Sequence, residues 1–132
     1  MSPQQIRESY IFAQLLNVTA NGSAVRSQLD GQLGDHQDLP GFCKLLDNTW
    51  ELVVHQSYVT ELCAKLDHHF PGCRLSTEYN PTEPSAAEVK RYGSRYMAQR
   101  CAHHEFMSRV ELMHSAWPTA AIYYRLRGEE EE

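Results

Sequence analysis

Apolar positions recur at helical spacing along much of this chain, and strong end signals cut the pattern into blocks. Ser2 precedes Pro3 and Gln5, the arrangement of a capping box with proline at the first helical position. Ile6, Tyr10, Ala13 and Leu16 follow at helical spacing, with Phe12 and Leu15 beside them. This predicts a first helix over residues 2–16, ended by the stretch 17–22. A short second helix is predicted over 24–33. Ser23 caps it, Val25, Leu29 and Leu33 repeat every four residues, and Gly34 stops it.

The third block is the longest. From Leu39 to the hard stop at Pro71-Gly72, a projection at ~100° per residue gathers Lys44, Asp47, Glu51, His55, Lys65 and His69 into one polar stripe. Leu45, Leu46, Trp50, Leu52, Val53, Val54, Val59, Leu66 and Phe70 fill most of the remaining circumference. A long central helix over 39–70 is predicted. The β-branched Val53, Val54, Val59 and Thr60 weigh against it, and a break near Gln56–Ser57 is compatible with the pattern.

A fourth helix opens on a second capping box, Ser85 with Glu88, and is predicted to run to about His114. Val89, Tyr92, Tyr96, Gln99, His103, Phe106, Val110 and Met113 alternate by three and four, the seam of an antiparallel packing. Gly93 lies inside it, where a close neighbour would explain its cost. Trp50, Val53 and Val54 of the third helix are expected to face the Tyr96–His103–Phe106 part of this seam. The connection over 71–84 carries three prolines and is expected to be an ordered surface loop, with a short extended piece near 74–79. Residues 119–127 carry helical end signals and strand-like alternation together, and the helix is favoured. The fold expected is therefore all-α: a single-domain bundle of four to five helices over 1–128, with an acidic tail at 129–132.

Composition refines this picture. With 132 residues, 42% hydrophobic and 22% charged, the chain can bury a core without disulfide or metal support. No apolar run is long enough to cross a bilayer, and the first residues do not resemble an export signal, so a cytoplasmic location is expected. The four cysteines, Cys43, Cys63, Cys73 and Cys101, form no C-x-x-C pair and are expected to be reduced thiols. Cys43 and Cys63 fit packing roles, and Cys73 is expected to be the most exposed. Charge is segregated. Residues 1–85 hold five basic and ten acidic side chains, residues 86–128 hold seven basic and three acidic, and 129–132 are all glutamate.

Motifs for nucleotide binding, nucleophilic catalysis and zinc proteolysis are absent from the sequence. Of the seven histidines (His36, His55, His68, His69, His103, His104, His114), His55 stands four residues after Glu51, a metal-ligand spacing on a helix. The helical projection points this pair away from any common centre. Neither a metal nor a cofactor is expected. His103, centred on the seam, is read as a core histidine bonded to Gln99. Arg91, Arg95 and Arg109 share a flank of the fourth helix beside Tyr92 and Tyr96. Leu75 and Tyr79 stand in the loop just before that helix. Tyrosine and arginine are enriched at binding hot spots. Tyr79, Leu75, Arg91, Arg95 and Arg109 are therefore the expected partner-binding residues. The function expected is non-catalytic binding or regulation of a macromolecule, another protein above all. A nucleic-acid-binding subunit using the arginine flank is the alternative, and a histidine-based metalloprotein or enzyme is the second.

Overall fold

The structure is a computed structural model that describes residues 2–45, 48–113 and 117–130. Leu46 and Asp47 of the expected central helix, His114 and the last two glutamates lie outside the described residues. By its internal contacts the chain divides into two compact units, Met1–Tyr79 and Asn80–Glu132. The protein is not an all-α bundle. It combines helices with a four-stranded antiparallel sheet.

In the first unit, α1 (Pro3–Ser9) starts on the expected capping box, with Ser2 and Gln5 bonding reciprocally. It ends after about two turns, at Ser9, and β1 (Tyr10–Leu16) takes over. A capping box settles the start of a helix and not its length. Beyond it, Tyr10, Ile11 and Phe12 prefer a pleated surface, where aromatic and β-branched side chains pack on both faces. Next come α2 (Gly22–Leu29), β2 (Gly41–Lys44) and β3 (Trp50–His55). A 3₁₀ turn (Gln56–Tyr58) then leads into α3 (Val59–His69), and β4 (Arg74–Ser76) closes the unit.

The expected helix over 39–70 is thus two strands, a tight turn and one genuine helix. Its first half is a hairpin: Asn48 adopts φ 60°, and the Leu45 N–H donates to the Thr49 carbonyl at 2.9 Å. Asparagine tolerates this left-handed backbone better than other non-glycine residues. The run Trp50–Val54 is apolar on almost every side because β3 is buried on both faces. Periodicity cannot separate such a strand from a buried helix. Trp50 is 1% exposed, as a central residue should be, but it lies on the opposite face of β3 from Val53.

The sheet order is β2-β3-β1-β4, and every neighbouring pair is antiparallel. With α2 between β1 and β2, and α3 between β3 and β4, two split β-α-β units interleave. This is the ferredoxin-like order of elements. The register sorts the side chains. Ile11, Ala13, Leu15, Phe42, Trp50, Leu52, Val54 and Leu75 share one apolar face. Tyr10, Phe12, Gln14, Cys43, Glu51, Val53, His55 and Ser76 share the other. The two crossover helices bury Val25 and Leu29, and Leu62 and Leu66. Tyr58 ties the second crossover to the end of the first: its hydroxyl donates to the Leu33 carbonyl and accepts from Lys65 Nζ at 2.8 Å. Gly34 leaves room for that ring, since a Cβ there would stand 2.9 Å from Tyr58 Cε2.

The second unit is helical: α4 (Ala86–Tyr92), α5 (Arg95–Leu112) and α6 (Pro118–Glu130). Ser85 and Glu88 form the expected capping box. The single helix expected over 85–114 is divided at Gly93, which caps α4 at φ 79°. Ser94 then caps α5, accepting from the Met97 N–H at 3.1 Å. No atom lies within 4 Å of a Cβ placed on Gly93, so the glycine is required by the left-handed backbone rather than by a close neighbour. The break resets the helical phase. The buried stripe of α5 is Ala98, Ala102 and Phe106, in place of the expected Tyr96–Gln99–His103 seam. The favoured helix over 119–127 is present as α6, whose Tyr124 stacks on Phe106 at 5.5 Å. It runs on past Gly128, which lies where a Cβ would meet Met107 Sδ at 3.2 Å.

Candidate functional site

The expected partner-binding residues fall in both units. Leu75 is the middle residue of β4, pairs with Leu15, and belongs to the apolar face of the sheet, half-buried. Tyr79 is also half-buried, and its hydroxyl donates to Glu51 Oε1 at 2.8 Å. Glu51 is 0% exposed, a carboxylate held inside the unit, so this bond matters to the fold. Arg91, Arg95 and Arg109 belong to the second unit. Arg109 is half-buried with its guanidinium 5.7 Å from the Phe106 ring centre. Arg91 and Arg95 are exposed.

Beyond Arg91, the second unit presents a row of exposed large side chains. Tyr92 is 37% exposed, Tyr96 67% and Met97 47%. At ~100° per residue, Tyr96, Arg100, His104 and Met97 lie within one quadrant of α5, opposite the Ala98–Ala102–Phe106 stripe. The Arg91 guanidinium sits 5.8 Å from the Tyr92 ring centre, and that of Arg100 sits 5.8 Å from the Tyr96 ring centre. Such cation–π contacts hold both partners in place while leaving the guanidinium edge open to acceptors. Arg95 Nη2 pairs with Glu83 Oε2 at 3.3 Å. Among the described residues no carboxylate lies in ion-pair reach of Lys90, Arg91 or Arg100. Cys101, then burial, then Glu105 of α5 push the Tyr92 hydroxyl above its ordinary value.

Sequence reasoning missed Met97 and Arg100, and placed Tyr96 in the core. The available signal was the stretch 90–104, which holds Lys90, Arg91, Arg95, Arg100 and two histidines with no acidic residue. The Gly93-Ser94 pair, a helix stop followed by a helix cap, would have reset the phase.

Other chemistry is weakly supported. Among the described residues no group of three His, Cys, Asp or Glu side chains could hold a metal ion. Glu51 and His55, taken as a helical pair, stand on one face of a strand. His55 Nδ1 accepts from the Ser57 N–H at 3.2 Å and lies 2.8 Å from its hydroxyl, which is how it caps the 3₁₀ turn. His103 is half-buried and Gln99 exposed. All four cysteines are unbridged and half-buried. Burial pushes the Cys63 and Cys73 thiols up, Asp67 adding to both, the reverse of what activates a nucleophilic thiol. No helix among the described residues is long and apolar enough to cross a membrane. Compared with known proteins, the chain matches no family model, no curated protein and no solved structure.

Proposed function

We propose that this chain is a non-catalytic binding protein whose partner, another protein, docks on the outward face of α4 and α5. The observation that carries this reading is the exposed Tyr96–Met97–Arg100 quadrant, flanked by Tyr92 and Arg91. Tyrosine, methionine and arginine are the residues enriched where proteins meet, and a long exposed methionine adapts to an apolar partner. A nucleic acid is less well served. Each tyrosine already has a guanidinium against its ring, where a base would stack. On the sheet, the aromatic residues Tyr10 and Phe12 of β1 are buried, so no stacking platform is offered there either. The net charge of −5 also opposes a polyanion at long range. A cytoplasmic location belongs to the same proposal, supported by the four unbridged cysteines.

The test is the size of the native assembly. Tagged chain in extracts of its own cells should elute in a complex larger than itself. The double substitution Tyr96→Ala/Met97→Ala should return it to the size of the purified chain, while Thr60→Ala on the exposed side of α3 should not. Unchanged elution of the double variant would overturn the proposal.

A further inference from the structure

Resting on the docking face just described, we infer that the partner segment is an amphipathic helix lying parallel to α5, with an acidic residue over Arg100 and a basic one over Glu111. Spacing carries this first. Met97, Arg100, His104, Met107 and Glu111 follow one another by three, four, three and four residues. At ~100° per residue they fall with Tyr96 on the outward side of α5. This is the spacing by which one helix presents a seam to another. Met97, Arg100, His104 and Glu111 are exposed, and Met107 is half-buried beside Gly128 of α6. The stripe runs for about 21 Å, or about four turns.

The backbone argues against an extended segment. α5 bonds its N–H and C=O groups within itself, so its outward face offers a partner side chains alone. A strand docked there would press unpaired N–H and C=O groups against that face, whereas a helix arrives with its own already paired. Charge sets the direction. On this stripe the cation, Arg100, stands in the second turn of α5 and the anion, Glu111, in the last. Both are exposed, and among the described residues neither lies in ion-pair reach of an opposite charge. Their order opposes the macrodipole of α5, which favours anions at the start and cations at the end. A partner helix of ordinary polarity, acidic in its first turn and basic in its last, places each charge against its opposite when it runs parallel to α5. Its apolar side chains then cover Tyr96, Met97 and Met107. Two copies of α5 would satisfy the same charges only when antiparallel, so direction separates a foreign helix from a second copy.

The test uses the intact chain and fluorescence anisotropy with labelled synthetic peptides. The first has a leucine seam, glutamates in its first turn and lysines in its last. The second has glutamine at every charged position, and the third is the first with a central proline. The first should bind, the second should bind about tenfold more weakly or worse, and the third should not bind. Arg100→Gln/Glu111→Gln should remove the preference for the first over the second. A photoreactive group at the start of the first peptide should label Tyr96 or Met97, and Arg100→Glu/Glu111→Arg should turn the peptide round and move the label to the last turn of α5. Equal binding of the first two peptides, binding that survives the proline, or a label at the last turn of the unaltered α5 would overturn the inference. So would purified chain that sediments as a dimer and separates on Arg100→Glu, which would make the occupant a second copy. If no peptide binds while Tyr96→Ala/Met97→Ala still dissolves the native assembly, the helical partner is wrong and the docking face stands. If neither effect is seen, both fall.

Discussion

The two units treat their tyrosines in opposite ways. In the first, Tyr10, Tyr58 and Tyr79 turn inward, and their hydroxyls donate to the Gln37 carbonyl, the Leu33 carbonyl and the buried Glu51 carboxylate. In the second, Tyr123 and Tyr124 are buried, but Tyr96 stands in solvent and Tyr92 is partly exposed, each with an arginine against its ring. An inward tyrosine contributes area and a hydrogen bond to its own fold. An outward one, fixed by a neighbouring cation, contributes little to the fold and has its surface left for something else. The first unit is built for stability, and the second carries both a core and an unused face.

This contrast is breakable by mutation. The largest effect is expected at Trp50, where Trp50→Ala should cost about 3–5 kcal/mol in chemical denaturation, because the ring is fully enclosed on the apolar side of β3. Tyr79→Phe comes next. It deprives the buried Glu51 of a donor and should cost about 1–3 kcal/mol by the same measurement. If Tyr79→Phe were neutral, Tyr79 would belong with the outward tyrosines. Gly93→Ala should cost about 1 kcal/mol through backbone strain alone, with helix content by circular dichroism unchanged. Tyr96→Ala should move stability by less than about 0.5 kcal/mol, as for a side chain with no structural duty.

The smallest effect is a pH effect in the first unit. Burial, then the Asp35 charge, hold the Asp38 carboxyl above its ordinary value of 3.8. A raised value means the folded protein holds that proton more tightly than the unfolded chain does. The stabilisation is present in acid and is lost as pH rises through the folded value, leaving charged Asp38 opposed to folding at neutral pH. Asp38→Asn should therefore raise Tm slightly at pH 7, with the gain disappearing below pH 3.8. A loss of Tm at pH 7 would mean the carboxylate has a favourable role in the loop.

Helix starts were far more legible in the sequence than the sheet. Capping boxes at Ser2 and Ser85 and the helix after Pro118 are local signals, decided by residues within one turn. The sheet is not local. Glu51 in β3 lies opposite Gln14 in β1, a pairing across more than thirty residues that no window over 39–70 contains. β3 is buried on both faces, so its apolar run mimics a central helix, and the two members of the supposed polar stripe that fall in β3 are a buried carboxylate and a turn-capping histidine. The β-branched Val53 and Val54 were the available warning. At the candidate surface, Arg91 and Arg95 were visible as exposed basic positions on a helix. Met97 and Arg100 were hidden by a phase carried through Gly93.

The outward face of α5 is tested most directly by light-induced crosslinking. A photoreactive phenylalanine analogue placed at position 96, and in a separate protein at position 60, reports which surface meets a partner in living cells. Position 96 should yield one discrete crosslinked polypeptide, and position 60, also exposed but on the first unit, should yield none. The same products from both positions, or none from position 96, would contradict the assignment of this face to a protein partner.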